Sequence, residues 1–543
     1  MRRLHRFHGG LRLSGHKEAS TREPVAPAGT PPLLVLPLQQ HIGAPAAPVV
    51  EVGQRVLKGE MVARPEGFVS APVHASTSGI VRAIEERPVP HPSGLSAPCI
   101  VIESDGEERW CERRPHPAYT DLDPSALRNI IRDAGIVGLG GAGFPAYVKL
   151  NPGPRTVANT LILNGAECEP YITCDDMLMR ERAEEIVAGA RIMRHALHAR
   201  ECLLAVEDDK PEAIAALRAV LERAAHREIE LVTVPARYPT GGEKQLIKVL
   251  TGKEVPAEGL PIDIGIVCHN VATAAAVHRA VEHGEPLLSR LVTLAGPGMA
   301  RPRVLETLIG TPVSTLLEMA GERPERLVVG GPMMGFLLQD RAAPVTKTVN
   351  CLLAAEGETF APPTPVRPCI RCGECARACP AQLLPQQLYW HARAKNFDKV
   401  QDYNLFDCIE CGCCAYVCPS NLPLVQYYRF AKTEIWAQER EREKADLARE
   451  RHAFRTARLE REKAERQARL KAKKAAVTKK AGAGGDDDKK AAIQAAMERA
   501  KAKRASAQPK NVENLTEAQR QKIAEEDAHR AGGSEHDNPE DKA

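Results

Sequence analysis

Between residues 31 and 103 the apolar positions come in short runs at 33–36, 49–52, 61–63, 80–84 and 99–103, broken by Pro and Gly. That pattern predicts a small β domain. Residues 124–135 then set Leu127, Ile130 and Ile131 on one helical face behind Asp123, which is placed to cap the helix. The helix runs directly into Gly138-Leu-Gly-Gly-Ala-Gly-Phe-Pro145, where glycines at 138, 140, 141 and 143 imply a positive φ or a close approach. A dinucleotide fingerprint follows a strand, and this loop follows a helix. From 158 onward strands predicted at 159–163, 202–206, 230–234 and 263–267 alternate with helices at 177–198, 211–225, 243–250 and 272–283. Such alternation argues for a parallel sheet covered by helices. Residues 290–340 alternate strand, helix and strand, and 361–368 is a proline-rich spacer. A helical pattern starts at 424 and continues through 438–474, where Glu, Arg, Lys and Ala give many i,i+4 pairs. Beyond 480 the chain is polar and expected to be disordered, with one short helix near 491–504.

Composition narrows the classes. At 543 residues the chain is long enough for three or four domains. Its formal charge of only +4 argues against a nucleic-acid polycation. No run of eighteen apolar residues is present, so no spanning helix is expected. Residues 10–30 lack the apolar core of a secretory leader.

Cysteine changes the picture most. Half of the sixteen cysteines fall in two runs, Cys369, Cys372, Cys375, Cys379-Pro380 and Cys408, Cys411, Cys414, Cys418-Pro419. Each has the spacing in which three thiolates bind one [4Fe-4S] cluster and the fourth reaches the other. The expected ligand sets are therefore Cys369, Cys372, Cys375 and Cys418 for cluster 1, and Cys408, Cys411, Cys414 and Cys379 for cluster 2. A structural zinc needs four ligands and has no use for eight. Disulfides belong to exported proteins, so these thiols point to a reducing, cytosolic compartment. Cys413 is out of register and is expected to pack nearby.

Ligands of open parallel sheets sit beyond the carboxyl ends of the strands. There the chain places Asn164-Gly-Ala-Glu167-Cys-Glu169-Pro170 with Asp175 and Asp176, then Tyr238-Pro-Thr-Gly-Gly-Glu243, then His269-Asn270. A carboxylate cluster suits ribose hydroxyls and the polar edge of a flavin, and equally suits a solvated surface. Cys168 and Cys174 read as packing thiols.

Two phrases in the first domain, 53–60 and 71–81, resemble the halves of a biotinyl/lipoyl-type barrel-sandwich. A carrier of that kind needs a lysine at its hairpin tip, and none stands between Lys58 and Lys149. The glycine loop with Lys149, Asn164 to Pro170, Tyr238 to Glu243, and Asn270 with Thr273 resemble the NADH-oxidising flavoprotein subunit of respiratory complex I. The resemblance implies that Gly138, Gly140, Gly141, Gly143 and Lys149 hold FMN, with Asn164, Asn270 and Thr273 on the flavin and Phe144 and Tyr238 in the nucleotide site. Glu167, Glu169 and Glu243 are implied on the nicotinamide side as catalytic residues. That family has Asn-Ala-Asp-Glu where this chain has Asn164-Gly-Ala-Glu167, and Gly-Glu-Glu where it has Gly241-Gly242-Glu243.

These departures, the doubled cysteine run, and Phe7-His-Gly-Gly-Leu-Arg-Leu with His16-Lys-Glu18 resemble the RnfC members of the ion-translocating Rnf electron transport complexes, across about 5–435. A multidomain α/β and α+β chain is implied: a barrel-sandwich-like domain at 1–115, a parallel-sheet FMN/NADH domain at 116–285, an SLBB β-grasp domain at 286–360, a two-cluster ferredoxin-like domain at 361–430, a charged helix at 431–480 and a disordered tail at 481–543. The implied function is a peripheral electron-input component on the cytoplasmic side of a bacterial inner membrane. NADH gives hydride to FMN, and two [4Fe-4S] clusters relay single electrons to the other Rnf components (A, B, D, E and G) and indirectly to ferredoxin. Cobalamin reductases share these modules, and a flavin-free cluster scaffold is the non-enzymatic alternative.

Overall fold

The parallel sheet forms as the alternation predicts, in the order Ile229–Val234, Glu201–Glu207, Thr160–Gly165, Ile266–Asn270. All three pairings are parallel. Strand order therefore reverses between Thr160–Gly165 and Ile266–Asn270, and an open sheet has its ligand crevice at that switch point. Asn164 and Asn270 lie opposite each other in register there.

The computed structural model describes residues 2–153, 156–223, 228–356, 365–481 and 486–505. Helix Pro124–Asp133 starts as expected, with the Asp123 carboxylate accepting from the Ser125 amide at 2.7 Å. Leu127 and Ile131 are its fully buried positions.

The expected helix at 177–198 is two, Cys174–Glu181 and Ala183–Leu197, broken at Arg182 (φ −132°). Arg182 leaves the helical conformation and its guanidinium pairs with Glu306. The strand expected at 263–267 begins later, because Pro261–Ile264 forms a 3-10 turn closed by left-handed Gly265.

The barrel-sandwich has two sheets, Leu33–Pro37, Ser96–Ser104, Gly79–Pro88 and Arg55–Val56 in one, and Ala47–Pro48, Met61–Arg64 and Val73–His74 in the other. The run at 49–52 is not a strand; the pairing there is made by Ala47–Pro48. The first thirty residues stand apart from these strands. His5 and Leu11 bond to Val249 and Tyr238, Gly10 bonds to Ala378, and Ala26–Pro27 joins the edge of the third domain's sheet beside Arg303–Leu308. That sheet is six-stranded and ends in Cys351–Ala354 and the hairpin Leu327–Val329 with Phe336–Leu337.

One compact unit spans Met1–Gln438 and a second spans Glu439–Ala543. Helix Leu424–Ala481 begins in the first, where Tyr428, Ala431 and Ile435 are buried, and from Glu439 its described side chains are exposed. Asp486–Ala505 is helical, longer than the short helix expected in the tail; the expected disorder of 506–543 and the first half of the proline-rich spacer lie outside the described residues. No helix among the described residues is long and apolar enough to cross a membrane.

Candidate functional site

The eight cysteines sort into two groups. One void is lined by Cys379, Cys408, Cys411 and Cys414, and another by Cys369, Cys372, Cys375 and Cys418. In each, the fourth cysteine crosses over from the other run. The two runs repeat one backbone shape: left-handed residues recur at Arg371 and Glu410, Gly373 and Gly412, and Gln382 and Asn421. Such turns fold the chain back so that successive sulfurs face one point. Main-chain amides already aim at sulfur, from Arg371 to Cys369 and from Leu383 to Cys379, each at 3.4 Å. Four soft thiol donors around each void fit a [4Fe-4S] cluster. Cys413 is fully buried and lines neither void.

The voids differ in depth. Cys379, Cys411 and Cys414 are buried, whereas Cys372 is exposed with Ile370 beside it at 68% exposure. Tyr238 ties the buried set to the parallel-sheet domain: its hydroxyl donates to the Cys411 carbonyl at 2.7 Å.

At the switch point the glycine loop is pinched shut by Gly138 N–H to Phe144 O at 2.8 Å and Gly143 N–H to Gly138 O at 3.2 Å. It leans on the start of helix Val271–Glu282, where Thr273 Oγ1 accepts from the Leu139 amide at 3.0 Å. A Cβ on Gly140 would stand 3.3 Å from the Asn270 side chain, while one on Gly141 would meet nothing within 4 Å. Lys149 Nζ bonds Glu243 Oε1 at 2.7 Å and the Cys268 carbonyl at 3.1 Å; both side chains of the ion pair are about one-third exposed. Asn164 donates to the Gly241 carbonyl at 2.8 Å. The structure thus brings Gly138, Gly140, Gly141, Gly143, Lys149, Asn164, Glu243, Asn270 and Thr273 to one end of the sheet. An open glycine backbone beside a lysine and two asparagine amides fits a phosphorylated, hydrogen-bonding cofactor such as FMN. Phe144 is half-buried beside the loop.

The three expected carboxylates share no partner. Glu167 is buried and caps helix Cys174–Glu181, accepting from the Asp175 amide at 2.9 Å and the Asp176 amide at 3.2 Å. Asp175 lies against it and accepts from Asn270 Nδ2 at 2.5 Å; burial, and then the Glu167 charge, push its carboxyl up to about 7. Glu169 points away, to the third domain, accepting from the Met333 and Met334 amides at 2.7 and 3.0 Å. Burial raises its pKa. Met333 and Met334 are thus interface residues through their backbone. Only Glu243 stays with the glycine loop, through Lys149.

Two side chains at this site escape a sequence reading, Arg290 and Lys347. Both are buried basic residues of the third domain, and Arg290 Nη2 donates to the Leu139 carbonyl at 3.2 Å.

Family models match in four segments: the RnfC barrel sandwich hybrid domain at 5–107, the Nuo51 FMN-binding domain at 131–279, the SLBB domain at 291–337 and a 4Fe-4S dicluster domain at 368–422. Three relatives are named as the C component of an ion-translocating oxidoreductase complex. The Pseudomonas aeruginosa protein is 54% identical over 86% of this chain and 60% of its own length. That of Vibrio cholerae is 49% identical over 93% and 65%, and that of Serratia proteamaculans 47% identical over 93% and 70%. The chain spans less than two-thirds of the length of the first two. Its sequence and its domain series place it in the RnfC family, the C components of ion-translocating oxidoreductase complexes.

Proposed function

We propose that the chain is the electron-input component of an Rnf-type complex, taking electrons from NADH and delivering them one at a time to partner subunits. The observation that carries this is the join between the two sites: the FMN-binding domain touches the buried cysteine set through Tyr238 and the Cys411 carbonyl. FMN, when bound, supplies the conversion of a hydride into single electrons, which a cluster cannot perform alone. Gly138, Gly140, Gly141, Gly143 and Lys149 are the residues to hold it, with Asn164, Asn270 and Thr273 orienting it. Glu243, one-third exposed and paired with Lys149, is the carboxylate best placed to meet a nicotinamide. Glu167 and Glu169 serve as buried positioning residues, one for helix Cys174–Glu181 and one for the turn at Met333.

Cys379, Cys408, Cys411 and Cys414 hold the cluster that receives electrons, and Cys369, Cys372, Cys375 and Cys418 the cluster that gives them up at the surface. The order follows from burial, since a relay begins inside and ends where a partner reaches. The remaining Rnf subunits and, through them, ferredoxin are the expected recipients, with ion movement assigned to membrane-embedded partners. The seat assigned is peripheral, on the cytoplasmic side of the inner membrane; the ion-translocating complexes in the names of the relatives support association with a membrane.

The test is an anaerobic preparation, counted for flavin and iron and then titrated with NADH. One flavin and about eight irons, with flavin bleaching before cluster reduction, is expected. Full iron without flavin would reduce the protein to a cluster scaffold. Flavin bleached by NADH and then reoxidised by oxidised cobalamin would favour a cobalamin reductase.

A further inference from the structure

Beneath the glycine loop lies an amine that the electron path does not use. Lys347, on the segment leading to strand Cys351–Ala354, is 1% exposed. Its Nζ donates to the Pro72 carbonyl of the barrel-sandwich at 2.8 Å and to the Gly135 carbonyl, at the end of helix Pro124–Asp133, at 2.7 Å. Three domains meet at this one nitrogen. Gly135 is left-handed (φ 69°), and a Cβ there would stand 2.7 Å from the Pro72 carbonyl and 3.0 Å from Lys347 Nζ. The chain from Gly135 enters the glycine loop three residues later.

The same segment also holds the other end of that loop. A Cβ on Gly143 would lie 2.7 Å from Thr348 Cγ2, and the Gly143 carbonyl accepts from the Ile42 amide at 3.1 Å. Arg290 bridges the two, bonding the Lys347 carbonyl and, at 3.2 Å, the Leu139 carbonyl. Gln40 accepts from the Lys347 amide at 3.1 Å.

We propose that Lys347, together with Arg290, is a positioning residue for the flavin loop: its Nζ latches a carbonyl from each of two neighbouring domains and its main chain holds the loop's far end, so that releasing this latch loosens the loop and weakens FMN binding. This rests on the flavin reading above. A neutral amine has two hydrogens, and two carbonyls face it. An ammonium has a third donor and a full charge. The groups around it are Gln40, His41, Pro72 and His74 from the barrel-sandwich, Gly135 from the helix end, and Arg290 from its own domain, none of them an anion. A buried charge without a counter-ion is costly. Burial lowers Lys347 to about 7. Burial pushes His74 down to about 3, so the imidazole beside the amine is neutral. Burial also lowers His41.

The sign follows. Once released to solvent the amine is protonated up to about pH 10, so the set loop is favoured most at high pH, and that preference is lost as pH falls towards 7 and is flat below it. Apparent affinity falls with the fraction of molecules whose loop is set, by up to about tenfold per pH unit in that window. FMN binding to the full chain, followed by flavin fluorescence from pH 9 to 7, tests this against Lys347→Gln, whose amide keeps two N–H groups and cannot ionise, and Lys347→Met. The wild type should weaken about tenfold more than K347Q across that range; K347M should bind more weakly than either at pH 8, with a flat difference from K347Q. The phosphate of FMN titrates identically in all three and cancels. As a measurement independent of any variant, hydrogen exchange of the 136–143 amides in the wild type should lose protection as pH falls from 9 towards 7, after correction for intrinsic rate. Parallel binding curves for wild type and K347Q, or unchanged protection, overturn the proposal. FMN binding to none of the three at any pH would overturn the flavin reading itself.

Discussion

Glu167 and Glu243 carry the same expectation from sequence and arrive in different surroundings. Glu243 keeps a third of its surface and a lysine partner beside the glycine loop, while Glu167 is spent on two amides at a helix start. The two amide substitutions should therefore separate. Glu243→Gln is expected to slow NADH-driven flavin bleaching tenfold or more, by about 1.4 kcal/mol of transition-state binding, with little change in stability. Glu167→Gln should instead lose about 1–2 kcal/mol of stability, read by urea denaturation, because a charged cap becomes a neutral one. Wild-type bleaching in E243Q removes the nicotinamide assignment. Glu306 gives a second residue-level test. Burial alone would raise its carboxyl, and the bond and charge of Arg182, followed by Arg279, hold it at about 2. The stabilisation is present above the ordinary carboxylate range and is lost as pH falls from about 4.5 towards 2. Glu306→Gln should flatten that part of the stability-against-pH curve. The glycines, asparagines and cysteines of both sites were legible as residue types at a spacing. Arg290 and Lys347 were not, because a lone basic residue carries no sign in the sequence of the carbonyls it will meet.

Helix and strand alternation located every member of the parallel sheet, since each carries its own apolar period. What the period does not carry is a break made by tertiary contact. Arg182 has good helix propensity, yet its pull toward Glu306 divides the predicted helix, and the strand at Ile266 waits for the turn at Pro261 to finish. The close crossing of helices Ala183–Leu197 and Val271–Glu282 is hidden in the same way. Gly189 reads as a weak helix residue, but a Cβ there would fall 1.8 Å from the Ala274 carbonyl oxygen. The helices can approach only because it is absent. Gly189→Ala is expected to destabilise by about 3 kcal/mol, since overpacking forces backbone apart. It should also weaken FMN binding, because the displaced helix is the one that presents Asn270 and Thr273 to the loop. A variant with wild-type urea midpoint and flavin affinity would show that the crossing is slack.

For the molecule as a whole, the proposed relay takes its direction from burial. The set at Cys411 sits against Tyr238 of the flavin domain, and the set at Cys372 opens outward, so the two clusters are unequal even though their sequence runs repeat. Cysteine spacing predicted the crossed ligand sets and was silent on which cluster comes first, because two near-identical runs differ only in what packs on them. Removing one ligand from each tests the order. In Cys372→Ser the outer cluster is damaged while the inner one remains joined to the flavin domain, so NADH should still produce the inner cluster's reduced EPR signal, and delivery to an external acceptor should fail. In Cys411→Ser the break lies upstream: NADH should bleach flavin and reduce neither cluster, although dithionite still reduces the outer one. The paired result depends on the path and not on stability, because each variant serves as the other's control for a folded flavin site. An outer cluster reduced by NADH in C411S would mean that electrons reach Cys369, Cys372, Cys375 and Cys418 without passing the buried set, and the relay would run in parallel instead of in series.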